Sequence, residues 1–420
     1  MVKKILLGLL FTVFPCAPAA ADDTPWWPHF LGPRRDGTSP EKNINTDWKQ
    51  TPPKVLWKIP LGEGFSSFAV VGERAYTMTK RGDKLIVLCL DAKTGKEVWS
   101  HDVAPNYIDK QKQGAGPRAT PTYHDGKLYC LMPMGEFVCL AAANGERLWT
   151  ANVFNDTGAK NRVGEQFYWG VALSPLIEGD LVIVQPGGDK DNSVAAFYKN
   201  TGKLAWAAGS DPMCYGSPQA ITVAGQRQLI VPTASSVLGI EPTTGKILWR
   251  YVIGDKAYTI CSTPLWFDNQ LWFSAAYNAG CGVLDISNQG GTWTVKEKWK
   301  NKNGLLTLYS NAMIVDGHAY GCHGDLSAWM LKCVDLKTGQ VKWDERLDQR
   351  QWLLAVDGHM LCWGEKGSLK LLKMDPKGNV QKGEMPKLLV PKAWAAPVLA
   401  NGRLYLRDQA NALCIDLRKP

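Results

Sequence analysis

Short apolar runs of about four to eight residues recur along the chain, and clusters of glycine, aspartate and asparagine separate them. The runs are rich in β-branched and aromatic residues, which favour strands, and the clusters between them are typical of tight turns. The pattern therefore predicts an all-β protein with many short strands.

One motif repeats about every 40 to 55 residues, which is the spacing expected for the blades of a β-propeller. It consists of Asp-x-x-Thr-Gly followed, four residues after the glycine, by tryptophan. Aspartate can accept hydrogen bonds from backbone amides two residues on, and glycine supplies the positive φ that ends the turn. We expect the motif to form a hairpin between the third and fourth strands of each blade, with the tryptophan packing against the next blade. The clearest copies lie at residues 91–99, 144–149, 200–206, 244–249 and 335–343.

A second element, Ser/Thr-Pro followed by a short strand, glycine and another strand, lies upstream of each copy. It is found at Thr120-Pro121, Ser174-Pro175, Ser217-Pro218 and Thr263-Pro264, with Ala396-Pro397 as a variant. We expect the innermost strands to begin just before this element. Each unit is then one blade of four antiparallel strands.

Eight fourth strands can be counted: seven end in tryptophan, and a degenerate one near residues 378–385 has lost it. The seven tryptophans are Trp57, Trp99, Trp149, Trp206, Trp249, Trp299 and Trp343. The last repeat, residues 394–417, has only three strands, whereas residues 54–60 form an isolated fourth strand. The two fragments predict an eight-bladed ring closed by the N-terminal strand, which leaves no exposed sheet edge. A six- or seven-bladed ring is the alternative, and an open solenoid fits the complementary ends less well.

The first 21 residues differ from the rest: Lys3 and Lys4 precede an apolar stretch from Ile5 to Phe14 and a run of alanines ending at Ala21. This order predicts a signal peptide over 1–21, a leader over 22–50 and a propeller over 51–420, in a periplasmic or secreted protein. Cys16 raises the alternative of a lipoprotein anchor, although Pro15 before it does not suit one. The apolar stretch is too short to span a membrane, and we expect no transmembrane segment.

The net charge and the positions of the cysteines indicate which partners and which disulfides to expect. Removal of Lys3 and Lys4 lowers the formal charge from +9 to +7 without leaving a basic run, so nucleic acid is not an expected partner. Ten cysteines remain and follow the repeat, which favours buried thiols over a disulfide framework. A pair within one blade, Cys130 with Cys139 or Cys322 with Cys333, is the alternative.

The repeat resembles that of the PQQ-repeat family, which includes quinone-dependent alcohol dehydrogenases and the propeller lipoprotein of the outer-membrane assembly machinery. The leader residues 27–37 resemble the Trp-x-x-x-Gly-Pro-x-Arg-Asp-Gly opening of exported members. In the dehydrogenases, the resemblance implies PQQ over a tryptophan, beneath a disulfide of adjacent cysteines and beside Ca²⁺ held by Glu, Asn and Asp. This sequence has no Cys-Cys pair and no matching carboxylate cluster, so the cofactor stays unassigned and no catalytic residue is carried over.

The mouth of the central channel is the candidate ligand site. Alignment of the repeats places mainly aromatic residues there, with one arginine, and such a lining suits a flat or peptide-like ligand. The candidates are Phe65, Arg118, Trp169, Tyr215, Tyr258, Tyr309, Trp352 and Trp394, with Ala172 and Cys261 at matching positions. The alternative is that these rings only plug the channel. Glu63, Glu165, Asp211 and Asp325 lie in nearby loops without a fixed spacing.

No metal site is expected, because His318 and His323 fall on opposite faces of a strand. The sequence leaves open whether the protein is an enzyme. A complete fold signature without a catalytic one favours a monomeric scaffold that binds a protein or polymer partner. A PQQ-dependent dehydrogenase of reduced size is the second hypothesis, and a hydrolase or lyase the third.

Overall fold

The computed structural model describes residues 24–107, 109, 111–254, 261–277, 279–324 and 328–420. These residues form eight antiparallel sheets of four strands, arranged as the blades of a propeller. The first strands of neighbouring blades contact one another and therefore surround the central channel. The predicted all-β, eight-bladed fold is confirmed.

The strands follow the repeat. Strand β1 is Lys54–Pro60. Blade 1 contains β2 Ala69–Val71, β3 Arg74–Arg81, β4 Lys84–Asp91 and β5 Glu97–Pro105. Blade 2 contains β6 Thr122–His124, β7 Lys127–Leu131, β8 Glu136–Ala141 and β9 Arg147–Asn152. The short helix α1, Val153–Thr157, follows β9. Blade 3 contains β10 Leu176–Glu178, β11 Leu181–Val184, β12 Val194–Tyr198 and β13 Leu204–Ala208.

Blade 4 contains β14 Gln219–Val223, β15 Gln226–Pro232, β16 Ser236–Ile240 and β17 Ile247–Val252. Blade 5 contains β18 Leu265–Phe267, β19 Gln270–Ala275, β20 Gly280–Gln289 and β21 Thr292–Asn301. Blade 6 contains β22 Met313–Val315, β23 His318–His323, β24 Met330–Asp335 and β25 Val341–Arg346. Blade 7 contains β26 Gln351–Val356, β27 His359–Gly364, β28 Leu369–Lys373 and β29 Val380–Met385. Blade 8 contains β30 Val398–Ala400, β31 Arg403–Arg407 and β32 Asn411–Asp416, to which β1 is added.

The ring closes where the sequence predicts it. Strand β1 pairs antiparallel with β32, with Lys54 opposite Asp416 and Trp57 opposite Cys414. Arg407 on β31 is fully buried and reinforces the closure by donating hydrogen bonds to blade 1, at 2.9 Å to the carbonyls of Ser66 and Met78. The N-terminal strand and the last repeat therefore form one sheet, and the contacts of that sheet with blade 1 close the ring.

The repeated tryptophans join each blade to the next. Six donate their indole N–H to a backbone carbonyl of the following blade, as Trp99 does to Ala142 at 3.1 Å. Five of those rings also lie on the motif glycine of that blade, where a Cβ would overlap the ring: at Gly145, for example, it would stand 2.6 Å from Trp99 Cε3. The predicted docking role is confirmed, and the glycine has a second role as the seat of the preceding tryptophan.

Trp249 and the degenerate blade 7 depart from this rule. Trp249 lies on Gly239 of its own sheet and donates to Gln228 at 2.7 Å, because the long β20–β21 hairpin of blade 5 has no Thr-Gly turn to receive it. On β29 of blade 7, Gly383 pairs with Leu371 at the place where other blades carry tryptophan. A Cβ there would stand 2.4 Å from Trp48, so the buried ring of the leader takes the place of the missing tryptophan.

The Ser/Thr-Pro elements form a belt of hydrogen bonds between blades. The Ser174 hydroxyl accepts from the Thr120 amide at 2.9 Å, and the Ser217 hydroxyl accepts from the Ser174 amide at 2.9 Å. The belt continues to Thr263 and Asn311. The innermost strands begin one residue after the proline and not before the element as expected, because the hydroxyl and amide of the element bond to neighbouring blades instead.

None of the ten cysteines among the described residues forms a disulfide with another, and nine of them are buried. Cys130 pairs with Val138, whereas Cys139 pairs with Tyr129. Because side chains alternate between the faces of a strand, Cys130 and Cys139 point to opposite faces of their sheet. Burial raises the pKa of these thiols, as for Cys139, whose pKa rises to about 12.

Candidate functional site

Seven of the eight predicted site residues line a single cavity at one end of the channel. They are Phe65, Arg118, Trp169, Tyr215, Tyr309, Trp352 and Trp394, and Ala172 and Cys261 lie beside them. The eighth, Tyr258, lies outside the described residues. The cavity encloses about 790 Å³ of empty space, its opening to solvent included.

The repeat explains this convergence. All but one of these residues precede the innermost strand of their blade, and Trp352 lies at the start of β26. Because the innermost strands surround the channel in the same direction, the residues before them reach the same mouth. Blades 1 to 8 each contribute at least one lining residue.

The rings make a connected aromatic surface. Trp394 stacks on Phe65, with ring centroids 5.2 Å apart, and on Tyr309, at 5.9 Å and an interplanar angle of 12°. Trp169 and Tyr215 form a second pair at 5.5 Å. The two stacks of Trp394 and the tilted Trp169–Tyr215 pair add to the free energy of burial and hold the rings in place.

Arg118 is the charged group of the described lining. Its guanidinium lies 4.9 Å from the centre of the Phe65 ring and 3.3 Å from the buried carboxylate of Asp109. Burial lowers the pKa of Arg118, and Asp109 opposes that effect. Since an arginine stays protonated at neutral pH, the site holds a cation beside the Phe65 ring, and the Asp109 carboxylate balances its charge.

Glu365 holds the far wall of the cavity. Its carboxylate accepts a hydrogen bond from the Trp394 indole at 3.1 Å and lies 3.5 Å from Arg350 Nε. The Trp352 indole donates to the Trp394 carbonyl at 2.7 Å. The Arg350 guanidinium covers the Tyr309 ring at 4.5 Å. These contacts fix both tryptophans before any ligand arrives.

Five further lining residues were not predicted from the sequence: Phe30, Ser67, Gln113, Thr120 and Ala396. Phe30 belongs to the leader and meets Trp352 edge-on, with ring centroids 6.2 Å apart. The leader therefore supplies part of the cavity wall. The motif at residues 27–37 was the signal that could have indicated this contribution. Because the leader is not part of the repeat, however, its residues could not be aligned with those of the blades.

The loop carboxylates singled out from the sequence do not line the cavity. Glu63 pairs with Lys80 at 2.6 Å, and Glu165 lies 3.9 Å from Lys160. Asp211 is buried and receives two hydrogen bonds from Arg250, at 2.7 and 2.8 Å. Asp325 lies outside the described residues. The three that are described form ion pairs that support loops.

A quinone held beside Ca²⁺ does not fit the described lining. Calcium takes six to eight oxygen ligands, largely from carboxylates, and no aspartate or glutamate is among the lining residues that the structure describes. Nor do the described residues bring three potential metal ligands together anywhere. The cysteine of the described lining is Cys261. No cysteine is adjacent to it in the sequence, so it cannot form the disulfide of adjacent cysteines that the resemblance to the dehydrogenases implies.

Comparisons with known proteins place the chain among PQQ-repeat propellers. A profile described as "Outer membrane protein assembly factor BamB" matches residues 83–345. Quinohemoprotein alcohol dehydrogenase ADH IIB of Pseudomonas putida is 29% identical over 228 residues, which cover 47% of this chain and 31% of that enzyme. The dehydrogenase subunit of the quinone alcohol dehydrogenase of Acetobacter aceti is 32% identical over 127 residues, or 28% of this chain and 16% of the subunit. The chain thus spans less than a third of the curated relatives it matches.

Solved structures share the fold. Quinohemoprotein alcohol dehydrogenase from Comamonas testosteroni has a TM-score of 0.69 at 14% identity and covers 96% of this chain and 82% of its own. BamB from Moraxella catarrhalis has a TM-score of 0.58 at 15% identity, over 87% of this chain and 99% of its own. Across the described residues, no helix has the length and apolar character of a membrane span. With its profile match extending over more than half of its length, the chain belongs to the PQQ-repeat propeller family described as outer membrane protein assembly factor BamB.

Proposed function

We propose that the protein is a non-catalytic binding protein that holds an extended segment of a protein partner at its aromatic channel mouth. The observation that carries the proposal is the lining itself: aromatic rings from six blades and the leader surround one half-buried arginine. Rigid aromatic surfaces with a central cation are typical of binding hot spots, because they offer large contact area at low entropic cost.

Charge and shape support a peptide segment as ligand. The rings supply apolar and stacking contacts for side chains, while Arg118 can donate to backbone carbonyls or an acidic side chain. Two loops also meet at the rim of the mouth, where the backbone carbonyl of the exposed Gln113 accepts a hydrogen bond from Lys392 at 2.7 Å. That contact joins the loop before blade 2 to the loop before blade 8.

The proposal places the protein outside the cytoplasm. The basic start, the apolar stretch and the alanine-rich segment before Asp22 support export with cleavage after Ala21. A dehydrogenase is the alternative suggested by the curated relatives. The described lining argues against it, because it lacks the carboxylates that would hold Ca²⁺.

The test is binding of the protein, without its first 21 residues, to an array of unfolded peptides that vary in aromatic and acidic content. Trp394→Ala should weaken the retained binding by at least about tenfold, because it removes the ring that stacks on two others. Trp26→Ala is the matched control, since Trp26 is exposed and outside the cavity. Equal binding by both variants, or no peptide bound by the parent protein, would contradict the proposal.

A thermal melt of each variant accompanies the array. Trp394 is only partly buried and should be replaceable without loss of the fold. Arg118 is less suitable, because its removal would leave the buried Asp109 carboxylate without its ion-pair partner. If Trp394→Ala unfolds the protein, Trp169→Ala on the opposite wall gives the same test.

A further inference from the structure

A second compartment lies at the opposite end of the channel, apart from the aromatic cavity. The leader runs from Trp27, which exchanges two backbone hydrogen bonds of 2.8 Å with Val70 on β2, to Ser39, whose amide donates to Ala355 on β26. It thereby crosses the channel between blades 1 and 7. Below it, the innermost strands of blades 3, 4 and 5 enclose about 1040 Å³, the opening included.

Arg35 belongs to the leader segment that crosses the channel and lines the lower compartment. Its guanidinium donates hydrogen bonds to the carbonyls of Pro175 and Pro218, and Gln219 donates to the Arg35 carbonyl at 2.6 Å. Only 7% of the residue is exposed, yet its Nε–H has no acceptor. Arg35 lines the lower compartment, so an unsatisfied donor of a buried cation borders an open space.

The carboxylates around this space are already occupied. Asp36 accepts from the amide and hydroxyl of Thr38, at 2.8 and 2.7 Å. Glu178 accepts two hydrogen bonds of 2.8 Å from Arg227. No described carboxylate pairs with Arg35. A buried charge without a counterion is costly, and burial lowers the pKa of Arg35 to about 9, which leaves it positive at neutral pH.

The geometry points to an anion site: we propose that the lower compartment binds a small oxyanion group, a carboxylate or a phosphate, against Arg35. Arg34 lies at the exposed side of the same space and adds positive charge. His29 lines it too and keeps a buried Nδ1 without a partner, which can complete the shell of the anion. The planar arginine donors suit the paired oxygens of either group.

The site is independent of the aromatic cavity. Arg35 is held by carbonyls of blades 3 and 4, whereas the aromatic lining lies on the other side of the leader. A ligand there would fasten the leader to blades 3 to 5. Because a ligand that binds only the native state stabilises it, anion binding would also stabilise the leader where it crosses the channel.

The test is isothermal titration of the protein, without its first 21 residues, with inorganic phosphate and separately with acetate, at constant ionic strength set by chloride. Arg35→Lys keeps the charge but cannot donate to the carbonyls and the anion together, so it should weaken binding by at least about tenfold. Arg34→Gln should weaken it by about two- to fivefold. Arg74→Gln, at the partly exposed start of β3 and outside the compartment, is the control and should bind as the parent does.

Saturable binding of phosphate or acetate supports the site if Arg35→Lys weakens it most, Arg34→Gln weakens it less and Arg74→Gln leaves it unchanged. The anion that binds more tightly then shows whether the site prefers a phosphate or a carboxylate. Absence of saturable heat with both anions overturns it, as does equal binding by Arg35→Lys and Arg74→Gln. If Arg35→Lys fails to fold, Arg34→Gln decides: affinity equal to that of the control then overturns the site, because the exposed Arg34 lines the same compartment.

Discussion

Replacing Gly145 with alanine tests the double role of the motif glycine. Gly145 has a φ of +75°, and an added Cβ would stand 2.6 Å from Trp99 Cε3. The substitution therefore imposes two penalties, one from the backbone conformation and one from the ring that lies against it. Gly126 in the same blade has a φ of +72° and nothing within 4 Å of its Cβ position, so it carries only the first penalty.

The two penalties can be estimated separately. A side chain in the left-handed region costs about 1–2 kcal/mol, and crowding a packed site costs about 1–3 kcal/mol. Gly126→Ala should lower the free energy of unfolding by about 1–2 kcal/mol, and Gly145→Ala by about 2–5 kcal/mol. The difference, about 1–3 kcal/mol, is the contribution of the tryptophan seat.

Urea unfolding followed by tryptophan fluorescence measures these values, with a common m-value as the check on comparability. Trp99→Leu combined with Gly145→Ala should cost less than the sum of the two single substitutions, because the smaller side chain leaves room for the new methyl group. Equal costs for Gly126→Ala and Gly145→Ala would refute the reasoning. The glycine would then serve its own turn alone.

Other substitutions test the leader and the closure of the ring. Trp48→Ala should cost about 3–5 kcal/mol, because the buried ring fills the space over Gly383, whereas the exposed Trp26→Ala should cost under about 0.5 kcal/mol; equal costs in urea would exclude the substitute role of Trp48. Arg407→Met should cost about 3 kcal/mol or more, since it leaves carbonyls of blade 1 without donors, and a loss below about 1 kcal/mol in the same assay would contradict the closure argument. Burial keeps the pKa of His29 well below its ordinary value, so below pH 6.5 the unfolded chain takes up a proton that the native protein does not. The parent should therefore lose up to about 1.4 kcal/mol per pH unit relative to His29→Gln as the pH falls from 6.5 to 5, and parallel pH profiles would disprove this.

The repeat made most of the fold predictable. Each Asp-x-x-Thr-Gly turn is specified locally, as when Asp91 accepts hydrogen bonds from the amides of Lys93 and Thr94. The truncated last repeat and the isolated Lys54–Pro60 strand complement each other only if the ring closes. Register within a repeat also placed most of the cavity residues, since Phe65, Arg118, Tyr215, Tyr309 and Trp394 each stand four residues before their innermost strand.

What the sequence could not predict depends on contacts without a repeat. The leader is not part of the repeat and cannot be aligned with the blades. For that reason neither the place of Phe30 in the cavity wall nor that of Trp48 over Gly383 could be predicted. The same holds for Arg35, whose partners lie 140 and 183 residues away. Trp249 follows the motif but packs within its own blade, because the shape of the next hairpin decides the outcome.

The central claim, that the channel mouth binds a partner and does not carry out quinone chemistry, is tested most directly by one measurement. The protein, without its first 21 residues, is mixed with PQQ and Ca²⁺, passed through gel filtration and assayed for alcohol-dependent dye reduction. The absence of carboxylates from the described lining predicts that the quinone elutes apart from the protein and that no dye is reduced. Quinone absorbance retained with the protein, together with turnover of alcohol, would contradict the account.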